Sequence, residues 1–323
     1  MGEIQIIIGS ILNGNTIGLD FLPSGKMKEI RYMNGTKAEF TYDSATGQLK
    51  EIHHLRSDDS PILHLAYAYD ERNNIVEKAI DGTTTFYDYD LKDQLIQVKV
   101  GNTITEQYSY DGVGNRLSSL EYSDWEYNSA NQLLRFDNHY YSYDDNGNMT
   151  EMNEPDGYKH LTYSVDDRLV EFQVGSTVAD YYYDIYGLRV KKVVNGEKTY
   201  YVYDGSVLLG EITYDISGQV KDERYYIFIP GTYYPFEMVV LQNGERKHYA
   251  YHNDHLMTPL RLTDENQQIA WSGDYKAFGE INVLVQNIAN YLRFPGQNQE
   301  DGTKIYFFYL GFPFFCLGVN YID

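Results

Sequence analysis

Cysteine is almost missing from this chain of 323 residues, which contains only Cys316. A single thiol excludes an internal disulfide framework and any metal cluster built from several cysteines. Basic residues are also scarce, since 26 lysines and arginines stand against 47 aspartates and glutamates, for a net charge of −21. Because phosphate binding requires clustered positive charge, we expect no nucleic-acid partner.

Helical periodicity and targeting signals are scarce as well. Only the stretch from Gln286 to Leu292 has a pattern that predicts about two helical turns. The first residues carry no basic segment before an apolar stretch, so we predict no signal peptide in this chain. The apolar run near the end is shorter than the roughly 20 residues of a membrane-spanning helix, so no membrane span is predicted either.

Tyrosine, by contrast, is abundant, with 34 residues against 14 phenylalanines and 2 tryptophans. Nine triplets that end in tyrosine, nearly all of which begin with an aromatic residue, run into a turn and are followed by an aliphatic residue. The final tyrosines of these triplets are Tyr42, Tyr69, Tyr89, Tyr110, Tyr127, Tyr143, Tyr163, Tyr183 and Tyr203. A regular spacing of about 20 residues indicates a repeat architecture.

Each repeat predicts a β-hairpin. Aromatic-x-Tyr alternation places both rings on one face of a strand. The residues Asp144-Asp-Asn-Gly147 form a turn signal, and a three-residue loop that ends in glycine would leave Tyr143 opposite Met149. Asp81-Gly82 and Asn195-Gly196 predict tight turns between other strands. An all-β chain of antiparallel hairpins is therefore expected.

The preference for tyrosine over phenylalanine indicates which kind of β-sheet these hairpins form. A dry core would use phenylalanine, leucine and valine, whereas tyrosine suits a face that packs its ring while its hydroxyl reaches water or a backbone group. This favours a wide sheet that curls around a wet interior over a tightly packed sandwich.

A different motif follows the repeats, between residues 248 and 297. Its characteristic residues are Tyr251, His252, Asp254, His255, Thr258, Pro259, Leu262, Thr263, Asp264, Trp271, Tyr275, Phe278, Gly279, Phe294, Pro295 and Gly296. This pattern closely resembles the core domain of the Rhs and YD-repeat family, and the tyrosine repeats upstream resemble the same family. The resemblance extends over nearly the whole chain to about Gln297.

The resemblance implies a fold, an organisation and a role. The fold would be an all-β array of repeated antiparallel hairpins that spirals into a partly hollow YD-repeat shell. Residues 1–225 would form the repeat array, 226–297 the core domain and 298–323 an aberrant hydrophobic tail. In bacteria, such shells enclose a toxic C-terminal domain, and animal teneurins carry a similar shell.

The expected role is accordingly structural and not enzymatic, with no cofactor. The expected partners are a polypeptide cargo or toxin domain, which this chain lacks, and the remaining shell segments. The parent family is secreted or found at the cell surface, whereas this chain, without a signal peptide, would be cytoplasmic if expressed as it stands. The alternative is a surface module that binds cell-wall glycans through exposed rings.

The chain departs from the family pattern at two places. Met257 stands where the family usually has a glycine, whose positive φ is costly for methionine. After Gln297 the usual Asp-Pro-x-Gly cleavage site is absent, since no proline follows an aspartate. The apolar tail that follows resembles the product of translation in a shifted reading frame. The alternative is a genuine variant end, and such a tail would plug the shell or cover a sheet edge.

The candidate metal ligands and catalytic groups each have a structural explanation. His248, His252 and His255 with Asp254 would align as metal ligands on a helix, but flanking Tyr-x-Tyr and Thr-Pro favour strand and turn with structural hydrogen bonds. Turn chemistry explains the aspartate-rich turns without calcium. A degenerate self-processing protease is the enzymatic alternative. His53, His54 and His64 are scattered polar positions that we expect near a loop, without a role.

Overall fold

The structure is a computed structural model that describes residues 4–8, 17–242, 244–299, 305–308 and 313–315. Every regular element in these ranges is a β-strand. The strands are β1 (Ile4–Ile8), β2 (Ile17–Phe21), β3 (Met27–Arg31), β4 (Lys37–Tyr42), β5 (Leu49–Leu55), β6 (Pro61–Tyr69), β7 (Ile75–Ile80), β8 (Thr83–Tyr89), β9 (Leu95–Val100), β10 (Thr103–Tyr110), β11 (Arg116–Ser119), β12 (Glu126–Tyr127), β13 (Leu133–Phe136), β14 (His139–Tyr143), β15 (Met149–Glu154), β16 (Gly157–Tyr163), β17 (Leu169–Val174), β18 (Thr177–Tyr183), β19 (Arg189–Val194), β20 (Glu197–Asp204), β21 (Val207–Tyr214), β22 (Val220–Phe228), β23 (Pro235–Gln242), β24 (Glu245–Asn253), β25 (Pro259–Thr263), β26 (Ile269–Tyr275), β27 (Ile281–Gln286), β28 (Gln297–Gln299), β29 (Ile305–Phe308) and β30 (Pro313–Phe315).

Hydrogen-bonded neighbours in each sheet are consecutive in sequence, and the described pairs are antiparallel. The predicted fold class, an all-β chain of repeated antiparallel hairpins, is confirmed. None of the described segments is a helix of the length and hydropathy that crossing a bilayer requires.

The helix predicted from Gln286 to Leu292 is wrong. Strand β27 ends at Gln286, and irregular backbone follows. The side chain of Asn290 accepts a hydrogen bond from the backbone N–H of Leu292 at 3.3 Å. Such local side-chain bonds compete with helical hydrogen bonds, which explains why the apolar spacing alone was misleading.

The chain divides into two compact units. The first comprises Met1–Asp88, Val98–Thr103 and Tyr226–Pro295, and the second comprises Tyr89–Gln97, Ile104–Tyr225 and Gly296–Asp323. The predicted boundaries at residues 225 and 297 stay a prediction.

The core of the first unit joins its early hairpins to the region of the family motif. Leu19, Ile30 and Ala38 from β2, β3 and β4 pack in one cluster with Phe236 of β23 and Ala250 of β24. A second cluster joins the strands β5 and β6 to β25. Its buried members are Ile52, Ile62, Leu63, Leu65, Tyr67 and Leu260.

The repeats have the predicted hairpin register. Tyr143 lies opposite Met149. The backbone N–H of Asp144 donates to the carbonyl of Asn148 at 2.9 Å, which closes a three-residue loop. Gly147, the last residue of that loop, has a φ of 93°. This is the expected turn with a glycine in the left-handed region.

The same turn recurs through both units. In each copy, one side-chain oxygen of the first residue accepts the backbone N–H groups two and four positions later. These first residues are Asp70, Asp90, Asp111, Asn128, Asp144, Asp184, Asp215, Asp254 and Asp264. Turn chemistry therefore accounts for the aspartates in these positions, as predicted, and for Asn128 in the same way. The last two belong to the family motif, which continues the hairpin pattern of the repeats.

In six of the nine repeats, the final tyrosine is tied to the preceding hairpin. Its hydroxyl donates to the backbone carbonyl of the residue that follows the previous turn, over 2.8 to 3.1 Å. The pairs are Tyr42 with Met27, Tyr110 with Leu95, Tyr127 with Arg116, Tyr143 with Leu133, Tyr183 with Leu169 and Tyr203 with Arg189. A phenylalanine would fill the same space without this bond. The backbone acceptor predicted for the tyrosine hydroxyl is thus confirmed.

We expect Tyr143→Phe to lower the free energy of unfolding of the second unit by about 1 kcal/mol, because the carbonyl of the buried Leu133 loses its donor. Urea unfolding monitored by tryptophan fluorescence would measure the change. The matched control is Tyr140→Phe on the same strand, where the side chain is exposed, and its effect should stay within about 0.5 kcal/mol. Equal effects of the two variants would contradict a role for the hydroxyl bond.

The aliphatic residue expected after each turn is replaced in two copies by a buried arginine. Tyr110 lies opposite Arg116, and Tyr183 lies opposite Arg189. Leu117, the residue expected to pack, is exposed. The guanidinium of Arg116 lies 4.5 Å from the ring centroid of Tyr108. The aromatic rings thus accept a cation where an aliphatic side chain was predicted.

One residue of the predicted tail belongs to the core of the second unit. Strand β29 pairs with β28 and β30, and Phe307 on β29 is buried. Its ring centroid lies 5.1 Å from that of Tyr181 and 3.7 Å from the guanidinium carbon of Arg189. The described part of the tail therefore contributes packing to this unit.

Candidate functional site

Apart from Gly296, which belongs to the second unit, the residues of the family motif lie on three neighbouring strands of the first unit and on the segments that connect or follow them. Tyr251 and His252 lie on β24, Pro259, Leu262 and Thr263 on β25, and Trp271 and Tyr275 on β26. Asp254, His255 and Thr258 belong to the turn between β24 and β25, and Asp264 opens the turn before β26. Phe278 and Gly279 lie in the turn after β26, and Phe294, Pro295 and Gly296 precede β28. The motif thus follows the strand-and-turn arrangement that the sequence favoured over a helix.

A chain of hydrogen bonds runs through the centre of this region. Nδ1 of His252 lies 3.2 Å from Nδ1 of His54 on β5, and both side chains are buried. Nε2 of His54 lies 2.9 Å from the carbonyl oxygen of Asn253, and Nε2 of His252 lies 2.9 Å from Oγ1 of Thr263. Asn34 donates to the same Thr263 oxygen at 3.0 Å.

The last acceptor in this series of hydrogen bonds determines the tautomers of both His54 and His252. The carbonyl of Asn253 only accepts, so Nε2 of His54 carries the proton and its Nδ1 accepts from Nδ1–H of His252. Nε2 of His252 then accepts from the Thr263 hydroxyl. Two neutral imidazoles satisfy every bond, whereas protonation of either would point two N–H groups at each other or at a donor. The arrangement is a structural link between β5 and β24.

Burial shifts the pKa of both rings in the same direction. It lowers the pKa of His54 to about 4, with nearby Arg261 and His53 adding to the effect. Burial, His54 and Arg261 lower the pKa of His252 well below its usual value. Both histidines are therefore neutral at pH 7 in the folded chain.

The first unit should lose stability on mild acidification. An unfolded histidine takes up a proton near pH 6.5, while the folded His54 does so only near pH 4. Between these values the unfolded state binds more protons, so stability is complete above pH 6.5 and falls as the pH decreases. From pH 7 to pH 6 the two buried rings should together cost about 1 kcal/mol.

Fluorescence of Trp271 can report this loss, because the other tryptophan, Trp125, lies in the second unit. In a Trp125→Phe background, urea unfolding at pH 7, 6 and 5 gives the pH slope of the first unit. His54→Gln should reduce that slope by about one proton. An unchanged slope would contradict the assignment of the uptake to the buried pair.

Asp254 combines the recurrent turn with a buried ion pair. Its Oδ1 accepts the backbone N–H groups of Leu256 and Thr258 at 2.9 and 3.0 Å. Its Oδ2 accepts from Nζ of Lys78 on β7 at 2.8 Å, and both side chains are largely buried. Burial alone would raise the pKa of Asp254, but Lys78, His255 and the turn donors outweigh it, and the pKa lies below its usual value.

Met257 has the strained backbone that the sequence predicted. Its φ is 67°, in the left-handed region where a Cβ is costly. It is the residue three positions after Asp254, and in the turns that begin at Asp144 and Asp184 this position holds a glycine. Packing of its half-buried side chain against the first hydrophobic cluster of this unit offsets part of that cost.

The two truncated variants Met257→Gly and Met257→Ala should separate backbone strain from packing. Both lose the side chain, but only alanine keeps the Cβ clash at positive φ. We expect the glycine variant to be the more stable by about 1 kcal/mol, measured by urea unfolding in the Trp125→Phe background. At Gly112 of the second unit, which has no positive φ and open space for a Cβ, the order should be reversed when unfolding is followed by Trp125 in a Trp271→Phe background. A more stable alanine variant at position 257 would contradict the strain.

The aromatic part of the motif packs around one tryptophan and one glycine. Trp271 is almost completely buried, and the guanidinium carbon of Arg293 lies 5.6 Å from its ring centroid. The rings of Tyr275 and Phe294 stack at 5.8 Å. A Cβ added to Gly279 would lie 2.6 Å from the Phe294 ring, which explains why a glycine stands beneath it.

Several contacts of the motif were missed by sequence reasoning. Gln267 donates through Nε2 to the carbonyl of Asn34 and to the hydroxyl of Ser57, at 2.8 and 3.0 Å. Arg261 binds the carboxylate of Asp81. No local signal marks these partners, because they lie about 200 positions apart in sequence.

The three histidines that were weighed as metal ligands have separate partners. His248 lies 2.7 Å from Glu237 through Nδ1, His252 bonds His54 and Thr263, and the His255 ring packs on Tyr67 at 4.7 Å. The structural hydrogen bonds favoured for His248 and His252 are present. The prediction that His53, His54 and His64 lie near a loop is wrong, since they lie within β5 and β6.

Comparison with known proteins points to one family. A family model described as RHS protein matches residues 248–285. The double-stranded DNA deaminase toxin A of Burkholderia cenocepacia is 23% identical over 278 residues, which cover 75% of this chain and 19% of that protein. The tRNA3(Ser)-specific nuclease WapA of Bacillus spizizenii is 27% identical over 234 residues, or 68% of this chain and 10% of that protein.

A solved structure extends the likeness to nearly the whole chain. The Tc holotoxin pore of Photorhabdus luminescens contains a chain that matches with a TM-score of 0.70 and 15% identity, over 95% of this chain and 18% of that one. At this identity the likeness concerns the fold, and it supports the YD-repeat shell class. The present chain spans about a fifth or less of the length of these proteins.

Proposed function

Because this chain belongs to the Rhs and YD-repeat family, we propose that it is a non-catalytic part of a shell that encloses or presents another polypeptide. In this proposal, residues 1–225 are the repeat array, 226–297 the core domain and 298–323 a hydrophobic tail. The enclosed polypeptide is a toxin domain or a comparable cargo of a longer protein that acts outside the producing cell.

The observation that carries the proposal is the continuity between the repeats and the family motif. The turns that begin at Asp254 and Asp264 have the same hydrogen bonds as the turns of the repeats. Each repeat with a bonded tyrosine is tied to the hairpin before it. Hairpins that contact mainly their neighbours can be added one after another to a growing sheet. Such a sheet is suited to form the wall of a large shell.

The chemistry of the motif supports a structural role. In the series of hydrogen bonds that begins at Asn34 and ends at the carbonyl of Asn253, each donor faces one acceptor. Both histidines in this series are neutral. Lys78 neutralises Asp254. Groups that are held in this way fasten β24 and its turn to β5 and β7. The relatives named above include a toxin, a nuclease and a holotoxin pore, and we extend only an enclosing role to this chain.

A protection experiment tests the enclosing role. A disordered reporter segment with one protease site is fused after Asp323, and its cleavage rate is compared with that of the free reporter. Enclosure predicts cleavage at least about tenfold slower in the fusion. As a matched control, the same reporter follows a flexible linker of about 40 residues, which places the site well away from the chain.

The result discriminates between the two candidate roles. Slow cleavage in the short fusion and fast cleavage with the long linker would support enclosure. Equal rates in the free reporter and both fusions would overturn it. Binding of the purified chain to cell-wall glycans, together with equal cleavage rates, would instead favour the surface-module alternative.

A further inference from the structure

The outer face of β5 and β6 carries a histidine and carboxylate cluster. Side chains alternate between the faces of a strand, and Ile52 and His54 on β5 are buried in the first unit. Glu51 and His53 therefore lie on the opposite face. His64 on β6 pairs directly with His53, so its side chain lies on that same outer face.

The three side chains converge. The rings of His53 and His64 stack with centroids 4.1 Å apart and 23° between their planes. Nε2 of His53 lies 3.1 Å from Oε2 of Glu51. One ligand atom from each residue lies within 4.8 Å of the other two, and all three residues are half-buried. A tetrahedral zinc ion holds its ligand atoms roughly 3.3 Å apart, so binding would turn the two stacked rings until one nitrogen of each faces the ion.

His64 provides a second, independent observation. Its Nε2 atom is buried without a hydrogen-bond partner among the described residues. A buried polar nitrogen of this kind is costly unless something satisfies it. The backbone N–H of His64 donates to Oδ1 of Asp81 at 2.9 Å, which fixes the strand at this point. A bound cation on the outer face would satisfy the ring nitrogen.

Glu51 is prepared to act as an anionic ligand. Its Oε2 atom lies 3.1 Å from Nε2 of His53, so the carboxylate is held beside the two stacked rings. Two imidazoles and one carboxylate form a ligand set that suits zinc and related divalent transition metals better than calcium or magnesium, which prefer oxygen ligands.

We propose that Glu51, His53 and His64 bind one divalent transition metal ion of the zinc class, with water completing the coordination. The site is independent of the proposed enclosing role, because it lies on the outer face of β5 and β6 and uses none of the residues of the family motif. The ion would clamp β5 to β6 at the position where His53 and His64 face each other.

Zinc ions alone are the probe for a test on the full chain, prepared without a polyhistidine tag and stripped with a chelator. Competition with a chromophoric zinc chelator should give one zinc per chain. His53→Gln and His64→Gln should each raise the dissociation constant at least about tenfold, since even a partner that only orients a ligand is worth about that much. Cobalt should give the intense visible absorption of a four-coordinate ion.

His160→Gln is the matched control, because His160 is a half-exposed strand histidine opposite a glutamate, Glu151, and belongs to no group of three potential ligands within the described ranges. Its affinity for zinc should equal that of the unchanged chain. Tryptophan fluorescence before titration confirms that each variant is folded, and Glu51→Gln, which alters only the charge, provides a second ligand variant. Zinc affinity that is unchanged in His53→Gln and His64→Gln, or that falls equally in His160→Gln, would overturn the proposal.

Discussion

Replacement of Asp254 by alanine should lower the free energy of unfolding of the first unit by about 4 kcal/mol. The change removes a buried carboxylate that accepts from Lys78 at 2.8 Å, and it leaves the ammonium group without its partner. It also removes the acceptor for two backbone N–H groups of the turn. Urea unfolding followed by Trp271 fluorescence, in the Trp125→Phe background, measures the loss.

Asp70→Ala is the control, because Asp70 makes the same two turn bonds in the same unit without a buried lysine. It should cost only about 1 kcal/mol. The variant Asp254→Asn keeps a turn acceptor and removes the charge, and adding Lys78→Met to it should restore much of the lost stability. Equal costs for Asp254→Ala and Asp70→Ala would contradict the importance of the ion pair.

Replacement of Phe307 by alanine should cost the second unit about 4 kcal/mol. The buried ring packs on Tyr181 and on the guanidinium of Arg189, so its removal leaves a cavity beside a buried cation. Fluorescence of Trp125, which lies in the second unit, reports the unfolding in a Trp271→Phe background.

Ile185→Ala provides the comparison for this second result. Ile185 is a large apolar residue of the same unit but is exposed, so its truncation should change stability by less than about 0.5 kcal/mol. If Phe307→Ala were equally mild, β29 would not belong to the core of this unit. A large loss would establish that the apolar segment after Gln297 contributes to folding.

The local architecture could be predicted from the sequence because its signals are local. Period-two aromatic residues, an aspartate and a glycine at fixed offsets predicted the hairpin, including the pairing of Tyr143 with Met149. The strain at Met257 was instead expected from the resemblance to the family, whose pattern has a glycine at this position. In each case, the residues that determine the conformation lie within about ten positions of each other.

The remaining features depend on contacts between distant parts of the sequence. His54 and His252 are 198 positions apart, and nothing near either residue indicates the other. Arg189 was not predicted as a core residue, because its burial depends on rings from other strands. Likewise, His53 and His64 acquire a shared face only through the register of β5 and β6.

The tyrosine bonds give the chain a direction. In each bonded pair, the donor belongs to the later hairpin and the acceptor to the earlier one. During synthesis, a hairpin that leaves the ribosome therefore meets an acceptor that is already in place, so growth can proceed from the N-terminus one hairpin at a time. The early strand that carries His54 is different, because its partner on β24 is made almost 200 residues later. The hairpins that are synthesised first therefore stay incompletely buried until the family motif has been translated.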